Sequence, residues 1–93
     1  MVISKKNIRI AEVIKALGHA VRFQILAELL KVENDCNVST IQKILKVPQS
    51  ALSQHLTLLK NKGFLNSRSY GVERYYFIKD AKIKTYIRNL LAS

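Results

Sequence analysis

The stretch PQSALSQHLTLLKNKGFL, residues 48–65, decides the fold. Leu52, Leu56 and Leu59 recur at i, i+4 and i+7, one stripe of an α-helix, while Ser53, Gln54 and Thr57 turn off that stripe and Gln49 and Ser50 open the segment. An ordinary outer face carries Glu and Lys. This one begins with uncharged groups that both donate and accept hydrogen bonds, and the nearest acids are Asp35 on one side and Glu73 on the other. Pro48 suits the start of such a helix through its fixed φ, and Gly63 suits a left-handed stop, so the spacing predicts a helix over about 49–61.

Upstream, KKNIRIAEVIKAL (5–17) sets Ile10, Val13, Ile14 and Leu17 at helical spacing with Arg9, Glu12 and Lys15 elsewhere, which predicts helix 1. After Gly18 and His19, AVRFQILAELLKV (20–32) has apolar residues on more than one side and predicts a central, buried helix 2. The polar run ENDCN (33–37) reads as a loop, and Ser39 as the N-cap of a short helix 3 over TIQKILK. Val47 and Pro48 end that helix, and the 49–61 segment is helix 4.

Beyond Gly63 the apolar period shortens from 3.6 towards 2. Residues 64–68 and 73–78 predict two strands joined by a turn over Ser69–Val72. Asp80 is a suitable N-cap for helix 5, AKIKTYIRNLLAS, in which Ile83, Ile87, Leu90 and Leu91 form a stripe with Tyr86 beside it. The expected fold is mainly α with a small β-hairpin, in the order α-α-α-α-β-β-α, within one domain over residues 1–93.

The 93 residues hold 16 Lys and Arg against 6 Asp and Glu, a formal net charge of +10. The cations are spread along the chain, which points to a folded basic domain whose partner is a polyanion, nucleic acid before an anionic membrane surface. No apolar run reaches the length of a membrane span, and the N-terminus interleaves charges with apolar residues, so neither a span nor a secretion signal is expected. Cys36 stands alone and cannot form an internal disulfide, which suits a reducing, cytoplasmic location.

A short helix, a tight turn, a second helix that starts with small polar residues and then a basic hairpin is the order of a winged helix-turn-helix. Gln and Ser can donate and accept at base edges in the major groove, where Glu or Asp would meet phosphate repulsion. From Cys36 to Val72 there is no acid, but Lys43, Lys46, Lys60, Lys62 and Arg68 are present.

The chain also resembles the ArsR-type (ArsR/SmtB) winged-helix repressors. The resemblance is carried by ALGHAVRFQIL at 16–26, similar to L-G-x-x-x-R-x-x-I-L, by QSALSQHLTLLKNKGFL at 49–65, similar to Q-x-x-V-S-x-H-L-x-x-L-x-x-x-G-L, and by SRSYGVERYYFI at 67–78, similar to a wing ending in Tyr. It implies a homodimer joined through helices 1 and 5, a double-stranded DNA operator with two-fold symmetry, and repression released by an inducer. Ile10, Val13, Ile14, Leu17, Ile83, Tyr86, Ile87, Leu90 and Leu91 are then the interface candidates. Pairing these stripes would also bury apolar surface that a single chain leaves partly uncovered.

Base reading is assigned to Gln49, Ser50, Ser53, Gln54 and Thr57. His55 sits at the edge of the apolar stripe, where packing, a phosphate contact and a base contact all stay open. Lys43, Lys46, Lys60 and Lys62 are the backbone candidates, and Arg68, Tyr70 and Arg74 those on the wing. Alternation along the strand sends one of Tyr75 and Tyr76 inward and the other outward. Wings of the family often carry a basic residue after the glycine, where this chain has Val72. A basic RNA-binding or ribosome-associated module is the alternative partner class; it would stack bases on exposed aromatics, which here cluster in the hairpin. Six scattered acids and two distant histidines supply no acid–base pair for an enzyme.

No metal and no cofactor are expected. Family members that sense arsenic or cadmium use a Cys-x-Cys pair, and the matching positions are Asn37 and Ser39; members that sense zinc on helix 5 use Asp, His and Glu, and residues 81–93 contain no His and no acid. Cys36 is the candidate for redox chemistry, weighed against an ordinary loop cysteine, and a resolving second cysteine is missing. With neither ligand set complete, equimolar zinc, cadmium or arsenite is expected to leave DNA affinity unchanged. A drop of about tenfold, roughly 1.4 kcal/mol, that disappears with Cys36→Ser would instead make that thiol a sensor.

Overall fold

A computed structural model describes the backbone of residues 2–32 and 36–92, and the side chains of these residues except Ile10, Val13, Ile14, Ala16 and Leu17. The elements are α1 (Lys5–Leu17), α2 (Ala20–Lys31), β1 (Cys36–Asn37), α3 (Val38–Leu45), α4 (Gln49–Asn61), β2 (Leu65–Tyr70), β3 (Glu73–Ile78) and α5 (Ala81–Ala92).

Each helix starts where a side chain or the chain geometry lets it. Ser4 Oγ accepts from Asn7 N at 3.1 Å to begin α1, and His19 Nδ1 accepts from Val21 N at 3.2 Å to begin α2. Asp80 Oδ1 accepts from Ile83 N at 2.9 Å, the cap expected for α5. The expectation for α3 needs correction: its N-cap is Asn37, whose Oδ1 accepts from Thr40 N at 2.9 Å, not Ser39. Asn37 is placed for this because it is also a strand residue, with extended backbone at φ −78° and ψ 162°.

That strand is the second correction. Cys36 pairs with Tyr76 and Asn37 with Tyr75, so the hairpin is one part of a three-stranded antiparallel sheet in the order β1-β3-β2. The element order is therefore α-α-β-α-α-β-β-α. Two residues are too few to leave a period-2 signal, and the rest of the expected loop, residues 33–35, lies outside the described residues.

The hairpin is also longer than expected. Tyr70 pairs with Glu73, which leaves Gly71 and Val72 alone in the turn. Gly71 has φ +61° and Val72 does not have a positive φ. A single left-handed glycine at the first of two turn positions matches the right-handed twist of the strands, so the pairing runs on to the tip.

The core joins one face of the sheet to four helices, α2 to α5. Ile25, Leu26 and Leu29 of α2, Leu52, Leu56 and Leu59 of α4, Leu65, Tyr76 and Ile78 of the sheet, with Ile41, Phe64 and Ile87, form a single buried cluster. Burial of each large aliphatic chain in it is worth about 1.5–3 kcal/mol. The alternation at the two tyrosines resolves as Tyr76 inward and Tyr75 half-buried on the outer face. At the end of α4, Lys62 N donates to Leu58 O, and Gly63 takes the expected left-handed conformation at φ +87°. Phe64 N donates to Leu59 O at 2.9 Å, which turns the chain directly into the sheet.

Ile87 is fully buried inside the single chain, so it belongs to this core and not to an outer stripe of α5. Ile83 is half-buried against the same cluster, while Tyr86, Leu90 and Leu91 remain exposed. The expected interface side chains of α1, Ile10, Val13, Ile14 and Leu17, lie outside the described residues. Asn37→Ala is expected to lower stability by about 0.5–2 kcal/mol, because it removes a helix cap, whereas Ser39→Ala should stay within about 0.5 kcal/mol. Urea unfolding of both variants measures the difference; equal losses would return the cap to Ser39.

Candidate nucleic-acid interface

α3 and α4 are joined by Lys46, Val47 and Pro48. Lys46 takes a left-handed conformation at φ 55° and ψ 39°, its N donates to Gln42 O at 2.7 Å, and Gln42 Nε2 donates to Val47 O at 3.3 Å. This closes the turn between the two helices without a glycine. With Leu52, Leu56 and Leu59 all at 0% exposure, the rotation of α4 is fixed, and Gln49, Ser50, Ser53, Gln54 and Thr57 are all exposed.

Pro48 occupies the N-cap of α4 and makes no side-chain cap. The first-turn amides of Gln49, Ser50 and Ala51 are therefore left to solvent or a ligand, at the positive end of the helix dipole. A phosphate oxygen suits such an end. The signal was legible at Pro48, whose side chain has no acceptor, although reading the proline only as a helix opener passes over it.

His55 is half-buried, and its ring centroid lies 4.6 Å from that of His19, with the planes at 52°. Desolvation by burial holds the His55 pKa below its ordinary 6.5, and the nearby His19 and Arg22 add to that shift. Its ring thus packs on that of His19, the N-cap of α2.

The backbone candidates divide. Lys43 and Lys46 are exposed on α3 and at its end. Lys60 is half-buried and donates from Nζ to Ser67 Oγ at 2.9 Å, and Arg74 Nη1 donates to the same oxygen at 2.9 Å. Ser67, a residue the sequence did not single out, thus ties α4 to both strands of the wing. It pairs with Tyr76 and shares that residue's face of the sheet, the face towards α4. Lys62 lies past the last turn of α4, beside Leu58 and Asn61.

On the outer face of the sheet, the Arg68 guanidinium lies 4.4 Å from the Phe77 ring centroid. Tyr70 meets Tyr75 edge-on with centroids 5.2 Å apart. Glu73 Oε2 accepts from Tyr75 Oη at 2.9 Å and from Asn37 Nδ2 at 3.2 Å. The hydrogen bond to Glu73 and the charge of that carboxylate push the Tyr75 phenol above its ordinary pKa. The one acid of the wing is thereby engaged at the root of α3, and Val72 at the tip is fully exposed.

No group of three or more His, Cys, Asp or Glu able to hold a metal occurs among the described residues. Asn37 caps α3 and holds Glu73. Cys36 is half-buried in β1. No described helix is long and apolar enough to cross a membrane.

A family model described as "Bacterial regulatory protein, arsR family" matches residues 19–67. The chain is 40% identical over 80 residues to the transcriptional repressor PagR of Bacillus anthracis, covering 86% of this chain and 79% of the relative. It is 33% identical over 86 residues to the transcriptional activator HlyU of Vibrio cholerae, covering 92% and 78%. The solved structure of HlyU from Vibrio cholerae superposes with a TM-score of 0.85 at 32% identity, over 95% of this chain and 94% of that one. That of PagR superposes with a TM-score of 0.78 at 38% identity, over 91% and 95%. A homodimeric winged helix-turn-helix DNA-binding domain from Mycobacterium bovis shares the fold at a TM-score of 0.82 and 24% identity, over 99% and 87%.

The lowered His55 value carries a pH dependence. Between the folded value and the ordinary 6.5, the unfolded chain binds the extra proton, so the His55 contribution to stability is complete above 6.5 and is lost as pH falls from 6.5 through the folded value. Proton NMR is expected to show His55 titrating below 6.5, and His55→Gln to flatten the acid side of the melting-temperature profile. Titration of His55 at or above 6.5 would contradict the packed, neutral imidazole.

Proposed function

The chain belongs to the ArsR family of bacterial regulatory proteins, as a winged helix-turn-helix DNA-binding transcriptional regulator, and from that membership we propose a dimeric repressor of an operator with two-fold symmetry, read by α4. One observation carries the reading: the exposed start of α4 bears Gln49, Ser50, Ser53, Gln54 and Thr57, inside a segment without acids from Cys36 to Val72. These side chains match the donor and acceptor pattern of base edges, and no carboxylate on the same face opposes the phosphates.

Phosphate contacts then fall to Lys43 and Lys46, to the open amides of Gln49, Ser50 and Ala51, and to Arg68, Tyr70 and Arg74 on the wing. Lys60 serves mainly by holding Ser67. Dimerisation draws support from exposed apolar residues on the first and last helices: Ile8 on α1, and Tyr86, Leu90 and Leu91 on α5. Repression is favoured over activation by the name of the relative that shares 40% identity. A cytoplasmic location is part of the same reading.

Selection of bound fragments from random duplex DNA tests partner and symmetry together, and should return a motif with two-fold symmetry. Gln49→Ala or Gln54→Ala is expected to cost about 1–3 kcal/mol per symmetric contact on the selected operator and to leave scrambled duplex nearly unchanged. Lys43→Ala or Lys46→Ala should weaken both alike and flatten a salt dependence whose log–log slope is roughly −4 to −8. Titration of each variant at unchanged melting temperature decides it, and equal loss on operator and scrambled DNA for the Gln variants would remove α4 as the reader.

A further inference from the structure

The hairpin continues past the core. On its inward face Leu65, Tyr76 and Ile78 belong to the buried cluster, but the next positions towards the tip, Ser67, Ser69 and Arg74, lie outside it. Three strand pairs, Arg68 with Tyr75, Ser69 with Arg74 and Tyr70 with Glu73, therefore project beyond the apolar packing. That is a reach of roughly 10 Å from Ser67 to the turn. Two-stranded ribbons differ from one another in twist by about 20° or more. Over this reach a tilt of about 20° moves the tip by roughly 3–4 Å, the axial rise of about one base pair.

The Ser67 hydroxyl stands where the packing stops. Lys60 Nζ and Arg74 Nη1 each donate to Ser67 Oγ at 2.9 Å, one from α4 and the other from the strand that returns from the tip. Ser67 and Arg74 are diagonal neighbours on the face towards α4, since Ser67 pairs with Tyr76 and Ser69 with Arg74. Both acceptor positions of the hydroxyl are thus used, and one atom joins the last turn of α4 to both strands of the ribbon.

The neighbourhood dictates the residue type. Two cations approach one oxygen, and among the described residues the one ion pair is Lys31–Glu28, so neither cation is paired with a described carboxylate. Glu73 lies on the opposite face, where it accepts from Tyr75 and Asn37. A carboxylate at position 67 would hold the cations more firmly, but it would set a negative charge between helix and wing, where phosphates pass in the reading above. An apolar side chain would leave two like charges without an acceptor. A neutral hydroxyl holds both and adds no charge.

We propose that Ser67 is a positioning residue: it fixes the wing against α4 and so determines which base pairs, flanking those read by α4, the wing reaches. The inference rests on α4 being the reading helix. Ser67 is half-buried on the face towards α4 and acts through the exposed wing residues Arg68 and Tyr70. With the hydroxyl in place, these two side chains keep a set distance from Gln49 and Gln54. Without it the ribbon takes several tilts, and the wing contacts are averaged over neighbouring base pairs.

The test compares the selected operator with a second duplex, in which only the base pairs outside those sensitive to Gln49→Ala and Gln54→Ala are scrambled. The unaltered chain should bind the second duplex about tenfold more weakly. Ser67→Ala should lose about tenfold on the operator and then distinguish the two duplexes by less than about twofold. Lys60→Met, which removes the donor on α4, should erase the same discrimination, and Ser67→Thr, which keeps the hydroxyl, should retain it. Tyr70→Ala should cost about tenfold on the operator in the unaltered chain, but less than about twofold once Ser67→Ala is present. A fold that was only destabilised would weaken both duplexes alike, so variants are compared where circular dichroism shows each fully folded. Flank discrimination that survives both Ser67→Ala and Lys60→Met overturns the proposal, as do equal losses on the two duplexes or an additive loss in the double variant. An unaltered chain that prefers the operator over fully scrambled DNA but ignores the flank overturns this proposal alone, whereas no preference at all overturns the reading by α4 together with it.

Discussion

The complete burial of Leu52, Leu56 and Leu59 is the constraint on which the rest of the arrangement depends. Successive residues of a helix are about 100° apart, so a slip of one residue would lift leucines into water and force Ser53 and Thr57 into the core. Each unmatched polar group there costs about 1–3 kcal/mol. α4 therefore has one rotation, and its polar side chains face outwards because its apolar ones cannot. The buried residues of α2 supply the opposing surface, and the direct passage from α4 into β2 through Phe64 makes the sheet the third wall of the same core.

The electrostatics build on that geometry. A stretch without acids is only a composition until folding decides what lies beside it, and the acid that folding brings to the wing is Glu73. Its carboxylate is shared by Tyr75 and Asn37 on the outer face of the sheet, so it is tied to the start of α3. On the opposite face Lys60 and Arg74 converge on the Ser67 hydroxyl. The wing is thus fastened on both faces, to α3 through Asn37 and to α4 through Ser67, and moves with the helices it accompanies.

A second concentration of charge stands at the far end of α4. Lys62, Lys79, Lys82 and Arg9 gather around Phe64, Ile83 and Tyr86. The net charge of +10 is thus spread over more than one surface of the fold. Along the chain these four residues belong to separate segments, and only the return of β3 and α5 to the end of α4 brings them together.

The local signals were legible in the sequence. Period 3.6 in residues 5–17 and 49–61 located α1 and α4, and Asp80 marked the start of α5, because capping and amphipathic spacing act over a few residues and leave their pattern in order. The outward face of α4 followed from the leucine stripe alone. Tertiary structure decided what depends on distant partners. β1 exists because Cys36 and Asn37 meet Tyr76 and Tyr75, and Asn37 displaces Ser39 as the cap because that pairing holds its backbone extended. Ile87 shares a helical stripe with Leu91, yet one is wholly buried and the other exposed, since the reach of the core across α5 is set by α2 and the sheet. Burial, ring contacts such as His19 with His55, and the shared hydroxyl of Ser67 join residues far apart in the chain, and a periodicity counted along one segment carries no information about which other segment will pack against it.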